Sequence, residues 1–261
     1  RTIYAVAAQD PRKVFLGLLM ELKDSRLRVV GTDGKKLAWA QCAVSQIEGD
    51  PQQTLIVPQK TMREIAGALS GEGVVRIQFA GSQAAFEIES AGGRTFFISN
   101  SIEGRFPNYE AVVPREFTAD VVANVESLAR LLRRAAVVAA DKNAPVVFEF
   151  QPNLCKISAT SFDLGSFEGE IPVVYDGKPL EMAFNYRYVL ETLKVVETAD
   201  VRLRVKSPAA PALFLPTDRD DVLYLVMPIR LSDIRPAVQP EPEPPEEDRK
   251  STRLNSSHTI Q

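Results

Sequence analysis

Histidine is almost missing from this sequence. The single one, His258, stands three residues from the end of a chain of 261. The body of the chain therefore offers no Ser-His or Cys-His nucleophilic pair and no His-ligated metal. Cysteine is nearly as scarce. Cys42 and Cys155 lie far apart in strand-like runs. They are expected to be buried free thiols, which fits a reducing, cytoplasmic setting. Two thiols are too few for a structural zinc site. No apolar run approaches the roughly 20 residues needed to cross a bilayer, and no charged-then-apolar leader opens the chain. A basic excess is lacking too: the net charge is −3. The placement of Lys and Arg then matters more than their total.

What remains is 45% hydrophobic, enough for one large or two ordinary domains. From about Ser232 the composition shifts. "AVQPEPEPPEED" has no periodic apolar face and is expected to be disordered. "DRKSTRLNSSH" (248–258) follows and back-translates readily to a common sequencing-library adapter, so this stretch is set aside from fold reasoning.

The body reads as short alternating strands with a few helices, and its order occurs twice. "RLRVVGTDGKKLAWAQ" alternates at period two around a Thr-Asp-Gly turn, a hairpin signal. "PQKTMREIAGAL" puts Met62, Ile65, Ala66 and Leu69 on one helical face, with Pro58 suited to the first turn. "VVRIQF" is a strand. In the second half "LCKISATSFDLGSFEG", "NYRYVLETLKVV" and "VRLRV" repeat the series, with Asn185 as a helix N-cap. Thr160 matches Thr32 and Asp141 matches Asp10 at separations that drift by a few residues, as loop insertions in a duplicated domain would produce. The second copy opens with the strand "EFTADVV". A helix follows, capped by Asn124, with Val125, Leu128, Leu132 and Ala135 inward. The first copy has only "RTIYAVAAQD" at that place, so the chain is expected to begin inside a domain.

Six ordered words, "AQDPRKVFLGLL", "VGTDGKKLA", "VPQKTMREI", "EGRFPNYEAVVP", "NYRYVLETL" and "YLVMPIRL", closely resemble the bacterial sliding-clamp family, the beta subunit of the replicative DNA polymerase. The resemblance covers about residues 1–231. It implies an α+β DNA-clamp fold of tandem similar domains, with antiparallel sheets outside and helices lining the DNA side. Residues 1–114 would be the second domain without its start, 115–231 the third domain, and 232–261 a tail. It implies a non-catalytic processivity factor that needs no cofactor. Such a factor encircles duplex DNA without reading sequence and tethers polymerase, clamp loader and repair proteins through short peptides. A homodimer ring is implied for the full-length protein and is not expected for this fragment.

Carried over by matching words, the peptide groove would use Arg12 and Phe15; Thr32, Gly34, Lys35, Lys36 and Leu37; and Pro107 and Val112 of the connector. Pro211 and the run Leu225, Val226, Met227, Pro228, Ile229, Arg230, Leu231 would form its far wall. Apolar side chains would accept Leu and Phe anchors, and a methionine would adapt to several ligands. Phe106 and Tyr109 read as connector packing. The family also places DNA contacts at Gln9 and Lys13, and an apolar dimer contact at Val137 and Val138 near Glu168. The residues themselves agree on helix charge. Lys60 and Arg63; Arg130, Arg133 and Arg134; and Arg187 and Lys194 stand beside the apolar stripes, as phosphate contact requires. Many members end at the Arg-Leu matching Arg230-Leu231, whereas this chain continues, and Ala111 stands where some carry Arg.

Two rival readings remain. Asp218, Asp220 and Asp221 in "TDRDD" have the density to hold Mg²⁺, yet read first as a polar hairpin turn. "GTDGKK" lacks the spacing of a phosphate loop. The second rival is a two-repeat protein-interaction module that does not encircle DNA.

Overall fold

Asp33 accepts from the backbone N–H of Lys35 and Lys36, 2.8 Å each, and Gly34 takes the left-handed conformation (φ 85°) that closes the turn. The Thr32 hydroxyl donates to the Lys36 carbonyl at 2.7 Å. The hairpin is thus fixed by its own residues. It is one of a series in a computed structural model describing residues 1–69, 71–90, 92–139 and 145–234. Asp141, the match to Asp10, and the chain after Ile234 lie outside the described residues.

The first repeat runs β1 (Gly17–Lys23), β2 (Arg26–Thr32), β3 (Lys36–Ala43), β4 (Gln53–Pro58), α1 (Gln59–Ala68), β5 (Val74–Ala80), β6 (Gln83–Ser90) and β7 (Gly93–Asn100). A connector follows. The second repeat runs β8 (Ala119–Asn124), α2 (Val125–Val138), β9 (Pro145–Gln151), β10 (Leu154–Ser161), β11 (Gly165–Val174), β12 (Leu180–Asn185), α3 (Tyr186–Leu193), β13 (Asp200–Val205), β14 (Ala212–Pro216) and β15 (Val222–Val226). All described pairings are antiparallel, and the α+β class holds.

Twelve strands form one sheet, β12-β9-β10-β11-β8-β13-β14-β15-β3-β2-β1-β4, and β5-β6-β7 form another. The long sheet passes from one repeat to the other at a single joint, where β15 pairs with β3 in the register Leu223↔Trp39 and Leu225↔Leu37. β13 carries β8 on one edge and β14 on the other. Its counterpart β5 carries β6 alone among the described residues. Val74 and Val75 on that strand are 51% and 41% exposed.

Helices α2 and α3 start where the sequence provides side-chain caps. Asn124 Oδ1 accepts from Ser127 N and Asn185 Oδ1 from Arg187 N, each at 3.0 Å, satisfying N–H groups that have no partner within the helix. Leu128, Leu132 and Ala135 are buried as expected, and Val125 packs at the margin of the same core. In α1 only Ile65 is buried, against Met20, Val57 and Phe86, with Met62 partly buried beside it. Ala66 is exposed and Leu69 ends the helix 47% exposed, so the expected four-residue face is narrower. Pro58 closes β4 and caps α1 rather than entering its first turn. Cys155 is buried and Cys42 is exposed, because β3 runs past the edge of the covered sheet near its end.

Candidate functional site: the joint between the repeats

Side chains alternate across β3 and β15, so the joint has two distinct faces. Lys36, Ala38 and Ala40 share one with Val222, Tyr224 and Val226, where α2 and α3 pack. Leu37 and Trp39 share the other with Leu223 and Leu225. There they join Leu19, Val30, Ile56 and Leu213 in a second apolar cluster, with Met227 at its border. The connector supplies Phe106 and Tyr109, both buried in this cluster, with Val113 beside them. Phe106 and Tyr109 are thus packing residues, as expected.

The rim is assembled from both repeats. Met227 N donates to the Lys35 carbonyl at 2.8 Å, fastening the end of β15 to the β2–β3 turn. Arg12 lies over the Phe15 ring at 4.1 Å and pairs with Asp10, whose carboxyl that guanidinium holds below the usual range. Its Nη2 would be 3.9 Å from a Cβ at Gly34, so the Arg12 loop and the turn adjoin. Phe15 and Leu37 are buried, Pro107 and Lys35 are exposed, and Val112 is 45% exposed. Pro211 is half-buried just before β14. Pro228 is half-buried, and Ile229 bridges to Ala183 at the far edge of the long sheet, leading Arg230 and Leu231 along the second repeat.

Two expected groove residues are turned away from this surface, and a third is buried on it. Lys36, 7% exposed, lies on the helix side. There it pairs with Glu191 and Asp33, and its ammonium sits 5.1 Å from the Tyr188 ring and 5.7 Å from Tyr4. Val226 is fully buried on that same side. Both follow from period two: each neighbours a residue that faces the groove. Thr32 stands opposite Leu37 on the groove face but is buried there, its hydroxyl spent on closing the turn.

Sequence reasoning missed a polar latch. Arg28 donates to Tyr109 at 3.0 Å, to Glu110 at 3.1 Å and to Gln41 at 3.1 Å, and lies 4.9 Å over Trp39. Tyr109 in turn donates to Glu21 at 2.7 Å. Burial, and then the Glu21 carboxylate, push the Tyr109 hydroxyl up to about 12 against the opposing pull of Arg28. The residues are scattered over the chain, so no local signal announced them.

On the other face of the sheet, Lys60 and Arg63 on α1, Arg130, Arg133 and Arg134 on α2, and Arg187 and Lys194 on and just after α3 are all exposed. Gln9 and Lys13 are exposed near the start of the chain. Val137 is 73% exposed at the end of α2, Val138 is partly buried, and Glu168 on β11 is exposed, 4.0 Å from Lys156. Asp218, Asp220 and Asp221 lie in the β14–β15 turn, Asp221 bound by Arg219. Among the described residues no group of three or more His, Cys, Asp or Glu is placed to hold a metal. No helix there is long and apolar enough to cross a membrane.

Two family models match in tandem: the DNA polymerase III beta subunit central domain over residues 1–108 and its C-terminal domain over residues 110–230. A beta sliding clamp of Pseudomonas putida is 35% identical over 233 residues, 88% of this chain and 62% of that protein. The chain thus spans less than two thirds of that relative. The crystal structure of the DNA polymerase III subunit beta from Pseudomonas aeruginosa superposes with a TM-score of 0.82 at 34% identity, over 88% of this chain and 62% of that one. A sliding clamp of the same organism bound to griselimycin gives 0.81 at 33% identity, over 88% and 61%. With both domain models in order and the fold matched across the joint, the chain belongs to the DNA polymerase III beta subunit family, the bacterial sliding clamps.

Proposed function

We propose that the protein is a non-catalytic processivity factor whose whole form encircles duplex DNA as a head-to-tail homodimer ring. In this reading the outer face of the joint captures short peptides from the replicative polymerase, the clamp loader and repair proteins. The supporting observation is the two-faced joint. One face carries an apolar cluster with Met227 partly buried at its border, and the connector adds exposed Val112 and Pro107 next to its buried Phe106 and Tyr109. The opposite face carries the helices with their exposed Lys and Arg. Leu37, Leu225 and Met227 would seat apolar anchors, and Arg12, Lys35 and Arg230 would orient polar and acidic residues of the peptide. Lys60, Arg63, Arg130 and Arg134, with Gln9 and Lys13, would make weak contacts to phosphates. Topological tethering makes weak contacts sufficient, because a bound polymerase gains effective concentration instead of tighter DNA affinity.

Fluorescence anisotropy with a labelled Gln-x-x-Leu-Phe peptide tests the groove, with Met227→Asp as control. Micromolar-range binding that the control abolishes supports it. No binding by a chain shown to be folded contradicts it. The alternative, a two-repeat interaction module that never encircles DNA, predicts peptide binding with no salt-dependent affinity for duplex.

A further inference from the structure

Beside the apolar cluster of the joint lies a hollow of about 610 Å³. Trp39, Leu213, Leu215 and Leu223 form its floor, and Val113 and Phe117 of the connector region its wall. Leu213 and Leu223 are core members of the same cluster as Leu37 and Leu225, and Trp39 and Leu215 pack against it. Floor and proposed groove are therefore continuous. On each strand the step from one to the other is two residues: Leu37 to Trp39, and Leu225 to Leu223. An extended peptide advances about 3.3 Å per residue, so a ligand two or three residues longer reaches the hollow.

The rim gives the hollow a polarity. Arg202 and Arg204 direct their Nε atoms at the one carboxylate of Asp120, at 3.5 and 3.1 Å. The Arg204 guanidinium also rests 4.8 Å over the Phe117 ring. Two guanidiniums thus share one acid. Both side chains line the hollow and are 44% and 39% exposed, and among the described residues each meets Asp120 through Nε. A guanidinium held at Nε and against a ring is pre-organised for a second carboxylate. Asp218 and Asp220 also line the hollow, and Arg219 between them is paired with Asp221 and Glu197, which disfavours a polyanionic nucleic-acid backbone at this place.

We propose that this hollow is a second docking pocket on the partner-peptide track, taking an apolar side chain and, next to it, an acidic one. The occupant is a peptide of a partner protein that continues past the groove. The proposal rests on the groove reading above.

The test compares three labelled peptides on the full chain: Gln-x-x-Leu-Phe alone, and the same peptide extended at its N-terminal or C-terminal side by a Leu and an Asp within the next four residues. One extended peptide is expected to bind about tenfold tighter than the short one. Leu215→Asp and Arg202→Ser should each remove that gain while leaving the short peptide unchanged, which also shows that the variants are folded. Exchange of the added Asp for Lys should abolish the charge-dependent part. If the short peptide binds and neither extension gains, the pocket is refuted and the groove stands. If the gain survives both variants or the Lys exchange, the assigned chemistry is wrong. If no peptide binds the folded chain, groove and pocket fall together.

Discussion

Tyr109 and Arg28 meet hydroxyl to guanidinium at 3.0 Å, and this contact ties the connector to the sheet of the first repeat. Glu21, at 2.7 Å from the same hydroxyl, completes a chain of charge-assisted bonds across the apolar cluster. Tyr109→Phe keeps the ring and removes both bonds. It should cost about 1–2 kcal/mol in urea unfolding, and proteolysis within residues 101–118 should quicken.

The same tyrosine makes a pH prediction. Its folded pKa of about 12 lies above the ordinary value of 10.0, so folding favours the neutral hydroxyl. That contribution is fully present below pH 10 and is lost as pH rises toward about 12. Tyr4, Tyr175, Tyr188 and Tyr224 are raised as well, chiefly by burial. Stability should therefore hold to about pH 10 and fall above it. In Tyr109→Phe the fall should be shallower, measured by denaturant midpoints across that range.

Lys36 joins the repeats from the helix side, through Glu191 of α3 and between two tyrosine rings. Lys36→Met removes the charge but leaves Glu191 41% exposed, so water recovers part of the loss. A cost of about 1–2 kcal/mol is expected, below that of breaking a wholly buried pair. Adding Glu191→Gln should cost little more, and a double-mutant cycle reads the coupling.

The two thiols should part in reactivity. Cys42 is exposed, whereas Cys155 is buried and burial pushes its thiol up to about 12. A neutral-pH disulfide reagent should label one thiol per folded chain, and Cys42→Ser should abolish that signal. The second equivalent should appear only on unfolding.

Charge reversal on the helices separates the two faces. Arg130→Glu with Arg134→Glu should weaken duplex binding and flatten its dependence on salt by about two units of log–log slope. The affinity for the Gln-x-x-Leu-Phe peptide should not change.

Local chemistry was legible in the sequence, and cross-chain geometry much less so. Asn124 and Asn185 announced their helices because a cap acts within three residues, and Asp33-Gly34 announced the hairpin. The duplicated order of strands gave the two-repeat architecture. Lys36, Val226 and Cys42 were misplaced because alternation says only that neighbours point apart. Which face is covered depends on a strand almost two hundred residues away. The Arg28–Tyr109 latch joins the first repeat to the connector and the Trp39 hollow draws on both repeats and the connector, so no window of sequence contains either.

The β15–β3 ladder is the one place where the long sheet crosses between repeats, and Leu37 and Leu225 stand opposite one another on it. Prising the repeats apart would therefore split that floor down its middle. Anything lying across it works as a brace over a crack, and each occupant should raise the force needed to shear the ladder. Tools that grip this surface would thus also stiffen the molecule that carries them.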